Sequence, residues 1–275
     1  MKYIIIFIII TIIAVIIGFG LCFLVSSLIR RKMKKKIPIF LHIVISMLSG
    51  IIIFITVSGL YLGIHYPADS TALDMLNNEN IRETDGAYFI DGEGEDTVFI
   101  FYPGAKVDSE AYLPLMKMLS DNGIDCFVIK PPFRFALFDA NAADRIIDKY
   151  SYKHVIVSGH SMGGTIASLY ASKNPDKIDG VVLLSAYPGS EISDNIPLLS
   201  IYGSEDMVLN KEAYKNAEPF FPDVFDEVII DGGSHSGFGS YGEQRGDGKP
   251  GISPDQQKEI TVNAILCFEK DHVIS

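Results

Sequence analysis

The 275 residues join two unlike polymers: residues 1–65 carry seven Lys or Arg and no Asp or Glu, whereas the rest carry 16 basic and 34 acidic side chains, a formal charge of −18. That remainder is long enough for one compact domain with a sizeable core, and its negative charge argues against nucleic acid or anionic lipid on its surface. Three cysteines, Cys22, Cys126 and Cys267, make no disulfide framework and show no metal-site spacing. They read as buried small hydrophobes, with a Cys126–Cys267 bridge left open.

In chain order, residues 4–28 and 37–64 contain no charged side chain. A bilayer core needs about 20 apolar residues in helix, and a helix satisfies every backbone amide within its own segment. Two membrane helices are therefore expected, with the bilayer as the partner of residues 1–65. Between them lies Arg30-Arg31-Lys32-Met33-Lys34-Lys35-Lys36, and short positive loops stay cytoplasmic. This predicts a two-pass hairpin with its turn (30–36) inside and both the N-terminus and the large domain outside the cytoplasm. A cleaved signal peptide fits less well, because the first apolar run is too long and only Lys2 precedes it. His42 and His65 lie in or at the end of the second run and are given no chemical role.

Residues 66–85 read as a tether with helix around 70–79, and residues 86–275 as the domain proper. Strands are expected at 88–90, 97–102, 126–129, 155–158, 180–185, 198–202 and 224–230. Helices are expected at 109–120, 140–149, 162–173, 211–219 and 254–268. Several of these strands lack apolar–polar alternation, the mark of a parallel sheet covered on both faces. Strand–helix alternation makes the class α/β.

The sharpest feature is Gly159-His160-Ser161-Met162-Gly163-Gly164 after the run Val155-Ile156-Val157-Ser158. A Gly-x-Ser-x-Gly string alone is weak, since chance supplies one in roughly one chain in ten at average usage. Here it follows a buried strand and opens a helix, the setting of a nucleophile elbow. The turn is too tight for bulky side chains two residues either side of the serine, and Gly159 and Gly163 meet that demand.

A serine hydroxyl needs a base to take its proton. Of six histidines, His235 lies just past the last strand in Asp231-Gly232-Gly233-Ser234-His235-Ser236-Gly237, at the sheet edge where doubly wound folds place their sites. The acid that orients the imidazole is expected after strand 198–202, in Gly203-Ser204-Glu205-Asp206. Asp206 is preferred to Glu205 by its place in the turn. The order Ser161, Asp206, His235 is the nucleophile–acid–base order of α/β-hydrolases. An oxyanion hole would draw on the N–H of Met162 and a second N–H, placed at Ala105, in the loop Pro103-Gly104-Ala105-Lys106-Val107. Lys106 is either solvated or meets an anionic group of the substrate.

With these residues in hand, the domain resembles the bacterial branch grouped as alpha/beta hydrolase fold-5, related to dienelactone-hydrolase-like proteins, over most of residues 86–270. The marks are Tyr102-Pro103-Gly104-Ala105-Lys106-Val107-Asp108 with Tyr112, the elbow string, Ile201-Tyr202-Gly203-Ser204, and Gly232-Gly233-Ser234-His235. They continue through Phe238-Gly239-Ser240-Tyr241-Gly242, Gln244-Arg245-Gly246-Asp247-Gly248 and Ile252-Ser253. The resemblance implies hydrolysis of an ester or similar acyl bond, with its triad on Ser161, Asp206 and His235. The chain departs at Ser234, where Asn is commoner. The stretch 238–252 reads either as an ordered loop tying the base in place or as a substrate wall of Tyr241, Gln244 and Arg245.

The fold expected is thus an α/β-hydrolase, a doubly wound, mostly parallel sheet with helices on both faces, preceded by a transmembrane hairpin. The function expected is a carboxylesterase-like serine hydrolase without metal or organic cofactor. Only residues 186–197 separate two consecutive strands, too few for a large lid, so small or surface-presented esters are favoured. Rival readings are an acyltransferase with the same triad, a non-catalytic anchored binding module, and a hairpin that binds partners through Gly50 and Ser58-Gly59.

Overall fold

A computed structural model describes residues 2–33, 38–94 and 96–274, in two compact units, Met1–Ile64 and His65–Ser275. In the first, α1 (Lys2–Met33) and α2 (Ile39–Gly63) pack together. Thr11–Ile29 and Ile43–Gly63 are long and apolar enough to cross a bilayer, by length and composition. The two helices meet closely at glycines: a Cβ on Gly18 would sit 2.9 Å from Gly50 Cα, as small residues permit. Large apolar side chains such as Phe23 and Phe40 face outward. Of the basic turn, Lys34, Lys35 and Lys36 lie outside the described residues, as do the side chains of Arg30, Lys32 and His42.

The second unit is built on eight strands: β1 (Ile81–Thr84), β2 (Ala87–Ile90), β3 (Thr97–Tyr102), β4 (Asp125–Ile129), β5 (His154–His160), β6 (Gly180–Leu184), β7 (Leu198–Gly203) and β8 (Phe225–Ile230). Their order is β1-β2-β4-β3-β5-β6-β7-β8. The first two pairings are antiparallel and the rest parallel. The helices are α3 (Ser70–Asp74), α4 (Leu113–Ser120), α5 (Ala142–Ile147), α6 (Met162–Lys173), α7 (Lys211–Asn216) and α8 (Pro254–Phe268). Every residue of β3, β4 and β6 is buried, because helices cover both faces. On one face Phe99, Phe101, Val128 and Ile156 pack with Leu115 and Met116 of α4 and Val262 and Ile265 of α8. On the other, Val98, Ile100 and Val157 pack with Ile146 of α5 and Ile166 and Ala167 of α6. The mostly parallel, doubly wound sheet is thus as expected.

Residues 66–85, expected to be a tether, are built into this unit. Ala68 and Ala72 are buried, and Tyr66 N–H donates to Lys106 O at 2.7 Å. The expected helix is there, as α3 continued by a 3-10 turn over Met75–Asn77, and β1 follows it in the sheet. Asp85 (φ 52°) and Gly86 (φ 72°) form the two-residue hairpin between Thr84 and Ala87, a turn that needs two left-handed residues. The cysteines also correct an expectation. Cys126 is buried, Cys267 is exposed, and both are free thiols.

The last helix starts on a capping box, with Ser253 Oγ accepting Gln256 N–H at 3.2 Å and Ser253 N–H donating to Gln256 Oε1 at 3.0 Å. Ser253→Ala should lower the unfolding free energy by about 1 kcal/mol and Ser253→Thr much less. Urea unfolding of the full chain in detergent micelles reads the difference.

Candidate active site

Ser161 is the sole residue between β5 and α6, and it holds φ 53° and ψ −122°. A non-glycine residue there is strained, and such strain persists only where surrounding structure over-determines it. The surroundings are backbone. A Cβ on Gly159 would lie 2.4 Å from Gly163 C, and one on Gly163 would lie 2.1 Å from Tyr102 O. One on Gly164 would lie 2.5 Å from Ala186 Cβ. Ser161 N–H donates to Leu184 O at 2.9 Å, fixing the turn to β6. Met162 opens α6, so its N–H has no intrahelical acceptor and sits at the positive end of the helix dipole.

Asp206 follows β7 and is fully buried. Its Oδ1 accepts the N–H groups of Val208 (2.9 Å) and Leu209 (2.7 Å). Its Oδ2 lies 2.9 Å from His235 Nδ1, in the loop after β8. Burial pushes the Asp206 carboxyl up, but the His235 hydrogen bond and charge, with the Leu209 amide, outweigh it and bring the group to about 2. An ionised carboxylate only accepts, so His235 Nδ1 carries the hydrogen of this bond, and in the neutral ring the lone pair falls on Nε2. That Nε2 is buried and has no hydrogen-bond partner among the described residues, Ser161 included. Glu205 points elsewhere, accepting the Ser204 hydroxyl at 3.3 Å. The acid brought to His235 is therefore Asp206.

The loop that carries His235 is clamped from two sides. Gln257 of α8, buried, accepts Ser234 N–H at 2.9 Å and donates Nε2–H to Ser234 O at 2.8 Å. Asp247 accepts Ser236 N–H at 2.9 Å and its hydroxyl at 3.1 Å. Neither Gln257 nor Asp247 stands out in the sequence as a site residue. The only hint for Gln257 is that it follows the capping box on a helix that must pack against the sheet.

The remaining candidates divide. Ala105 lies in the loop after β3, whose backbone touches the elbow through Tyr102 and Gly163. Among the described residues its N–H has no hydrogen-bond acceptor. Lys106 holds φ 63° and donates its N–H to Arg134 O at 2.8 Å, and partial burial lowers its ammonium from the ordinary value. Tyr241, a candidate for a substrate wall, packs inward. It is buried, its ring 5.7 Å from that of Tyr66 and 6.4 Å from that of Tyr112, and its hydroxyl donates to Gln244 at 3.1 Å. Arg245 is exposed, and its N–H donates to the Tyr66 hydroxyl at 3.2 Å. The stretch 238–252 is thus an ordered loop, tied through Asp247 to Ser236 beside His235. Among the described residues no three His, Cys, Asp or Glu side chains converge as a metal site requires.

The sequence profile of the Alpha/beta hydrolase family matches residues 98–259, over half of the chain, and the chain belongs to that family. A Mycobacterium phage D29 protein named as a non-heme haloperoxidase is 26% identical over 113 residues. The match covers 38% of this chain and 41% of that relative, well under two thirds of its length. An alpha/beta hydrolase enzyme from the sediment metagenome of the lagoon of Mar Chica, Morocco, superposes with a TM-score of 0.53. It is 15% identical, and the match covers 70% of this chain and 99% of that one. A soluble variant of Saccharomyces cerevisiae monoglyceride lipase, solved with a substrate analogue, gives 0.50 at 13% identity, over 71% and 94% of the chains. At these identities the likeness shows the fold.

Because the Asp206 carboxyl lies near 2, below its ordinary 3.8, its stabilising contribution is present above about pH 4 and lost as pH falls through 2. The stability difference between wild type and Asp206→Asn should therefore shrink by about 2 kcal/mol from pH 5 to pH 2. Denaturant unfolding across that range checks it. A constant difference would contradict the ionised pair.

Proposed function

We infer that the protein is a membrane-anchored serine hydrolase of the alpha/beta hydrolase fold-5 branch, cleaving an ester or related acyl bond. The observation that carries this reading is the buried Asp206–His235 pair, whose Nε2 has no hydrogen-bond partner among the described residues and whose ring lies 4.5 Å from that of His160, the neighbour of the strained Ser161. His235 Nε2 takes the Ser161 proton as Oγ attacks the acyl carbon, and the carbonyl π electrons move to oxygen. The N–H groups of Met162 and Ala105 hold that oxyanion. As the carbonyl re-forms, the bond to the leaving oxygen breaks and His235 returns the proton to the departing alcohol. Water then repeats the sequence on the acyl-enzyme, releasing the acid and restoring Ser161.

The site's setting favours accessible substrates. Residues 186–197 pack down through buried Ala186, Ile192 and Ile196 and form no large cover. Beside the Ala105 loop, Phe133, Leu137 and Phe138 are 60%, 47% and 58% exposed, with the Phe133 and Phe138 rings 6.0 Å apart. This apolar rim suits the hydrocarbon part of a small or surface-presented ester. The two apolar helices and the basic run at 30–36 support anchoring with the domain outside the cytoplasm.

A membrane-impermeant fluorophosphonate should label wild-type chain on intact cells, and Ser161→Ala should lose the label. Labelling that survives in Ser161→Ala would refute the nucleophile, and labelling only after lysis would reverse the topology. On the rim, Phe133→Ser with Phe138→Ser should raise KM for p-nitrophenyl butyrate roughly tenfold while leaving p-nitrophenyl acetate within about twofold. Equal effects on both esters would count against an acyl contact there.

A further inference from the structure

The elbow contains a second histidine whose role the acyl-transfer steps leave unassigned. His160 is 1% exposed. Burial first, and the neighbouring His235 second, hold its imidazole well below the ordinary histidine value, so it is neutral. A neutral imidazole has one donor and one acceptor nitrogen. Its Nε2 lies 3.0 Å from the backbone carbonyl oxygen of His235, and a carbonyl can only accept, so Nε2 carries the hydrogen. Nδ1 is then the acceptor, and the Tyr112 hydroxyl 2.8 Å away donates to it. That same hydroxyl accepts Gly104 N–H at 3.2 Å. Every bond in the chain Gly104, Tyr112, His160, His235 thus has a fixed direction.

The two ends of this chain matter. One is the peptide N–H immediately before Ala105, and the other is the main chain of the residue bearing the base. Gly104 has no room to shift toward the network: a Cβ there would meet both His160 Nδ1 and Tyr112 Oη at 2.8 Å. With Gly104 N–H pinned by Tyr112 and Lys106 N–H pinned by Arg134 O, the Gly104–Ala105 peptide is held between two fixed neighbours. The rings are held as well. Tyr112 packs against Phe101 with centroids 4.8 Å apart, and His160 against His235 at 4.5 Å and Phe238 at 5.8 Å.

We propose that Tyr112 and His160 are positioning residues that lock the Ala105 amide and the His235 main chain in register on either side of Ser161. The proposal rests on the serine-hydrolase reading and extends it, since the hydrogen bonds of both residues go to main-chain groups and to each other. The network gains nothing by binding substrate. Its loss misplaces the oxyanion donor and the base, which matter in the transition state, so the cost falls on kcat.

Tyr112→Phe removes one oxygen and keeps the ring. With p-nitrophenyl acetate and the full chain in detergent micelles, its kcat should fall roughly tenfold or more, with KM within about twofold. His160→Gln keeps a side-chain N–H for the His235 carbonyl and should retain more kcat than His160→Leu, which has none. Nitrogen NMR of the chain carrying 15N-histidine reads the network without turnover: His160 should be the Nε2–H tautomer, and Tyr112→Phe should shift its Nδ1 signal. An unchanged kcat in Tyr112→Phe, an effect confined to KM, or a His160 hydrogen on Nδ1 would each overturn the proposal while leaving the hydrolase reading intact. A wild-type chain that neither hydrolyses the ester nor reacts with a fluorophosphonate at Ser161 would sink the hydrolase reading itself, and the positioning role with it.

Discussion

Ser161 fills the entire connection between a buried strand and a helix, in a backbone conformation that an L-residue adopts only under constraint. The constraint is contact between main chains: Gly159 against Gly163, and Gly163 against the carbonyl oxygens that end β3. Such contacts hold only if β3, β5 and α6 cannot separate. The two apolar layers fix them, with Val98, Ile100 and Val157 on one face and Phe99, Phe101 and Ile156 on the other. Packing in the sheet is thus converted into the strained backbone that carries one half-buried serine.

The polar parts of the site show a similar dependence. A buried carboxylate is costly unless fully hydrogen-bonded, and Asp206 has two backbone N–H donors and the His235 imidazole. His235 can stay in place because its loop is itself tied, through Ser234 to Gln257 and through Ser236 to Asp247. Around one proposed base, therefore, lie partners from β7's turn, α8, the elbow and the 238–252 loop. A change in any of them would move the imidazole without touching it.

Much of this was readable in the residues. The unalternating apolar strands announced a covered parallel sheet, and the glycines at 159 and 163 marked a turn without side-chain room. Of the candidate site residues after β5, β7 and β8, the aspartate and the histidine are brought together in the fold. What was missed has physical causes. In β1 only Ile81 is buried, so it lacks an apolar signature, although Asp85-Gly86 is a hairpin turn. Nothing in the segment around Tyr241 shows that Tyr66, far away in sequence, packs against it. Gln257 and His160 are polar residues satisfied by backbone groups of Ser234 and His235, and a partner with no side-chain identity leaves no pattern to read.

The central claim is that one hydroxyl, two amides and one imidazole converge on a reacting carbonyl. A crystal structure of the chain after reaction with an alkyl phosphonate tests this most directly. The account predicts phosphorus bonded to Ser161 Oγ, with the phosphoryl oxygen about 2.7–3.1 Å from the Met162 and Ala105 nitrogens. His235 Nε2 should lie within hydrogen-bond reach of Oγ. A phosphoryl oxygen turned away from both amides, or an imidazole out of reach of the modified serine, would contradict it.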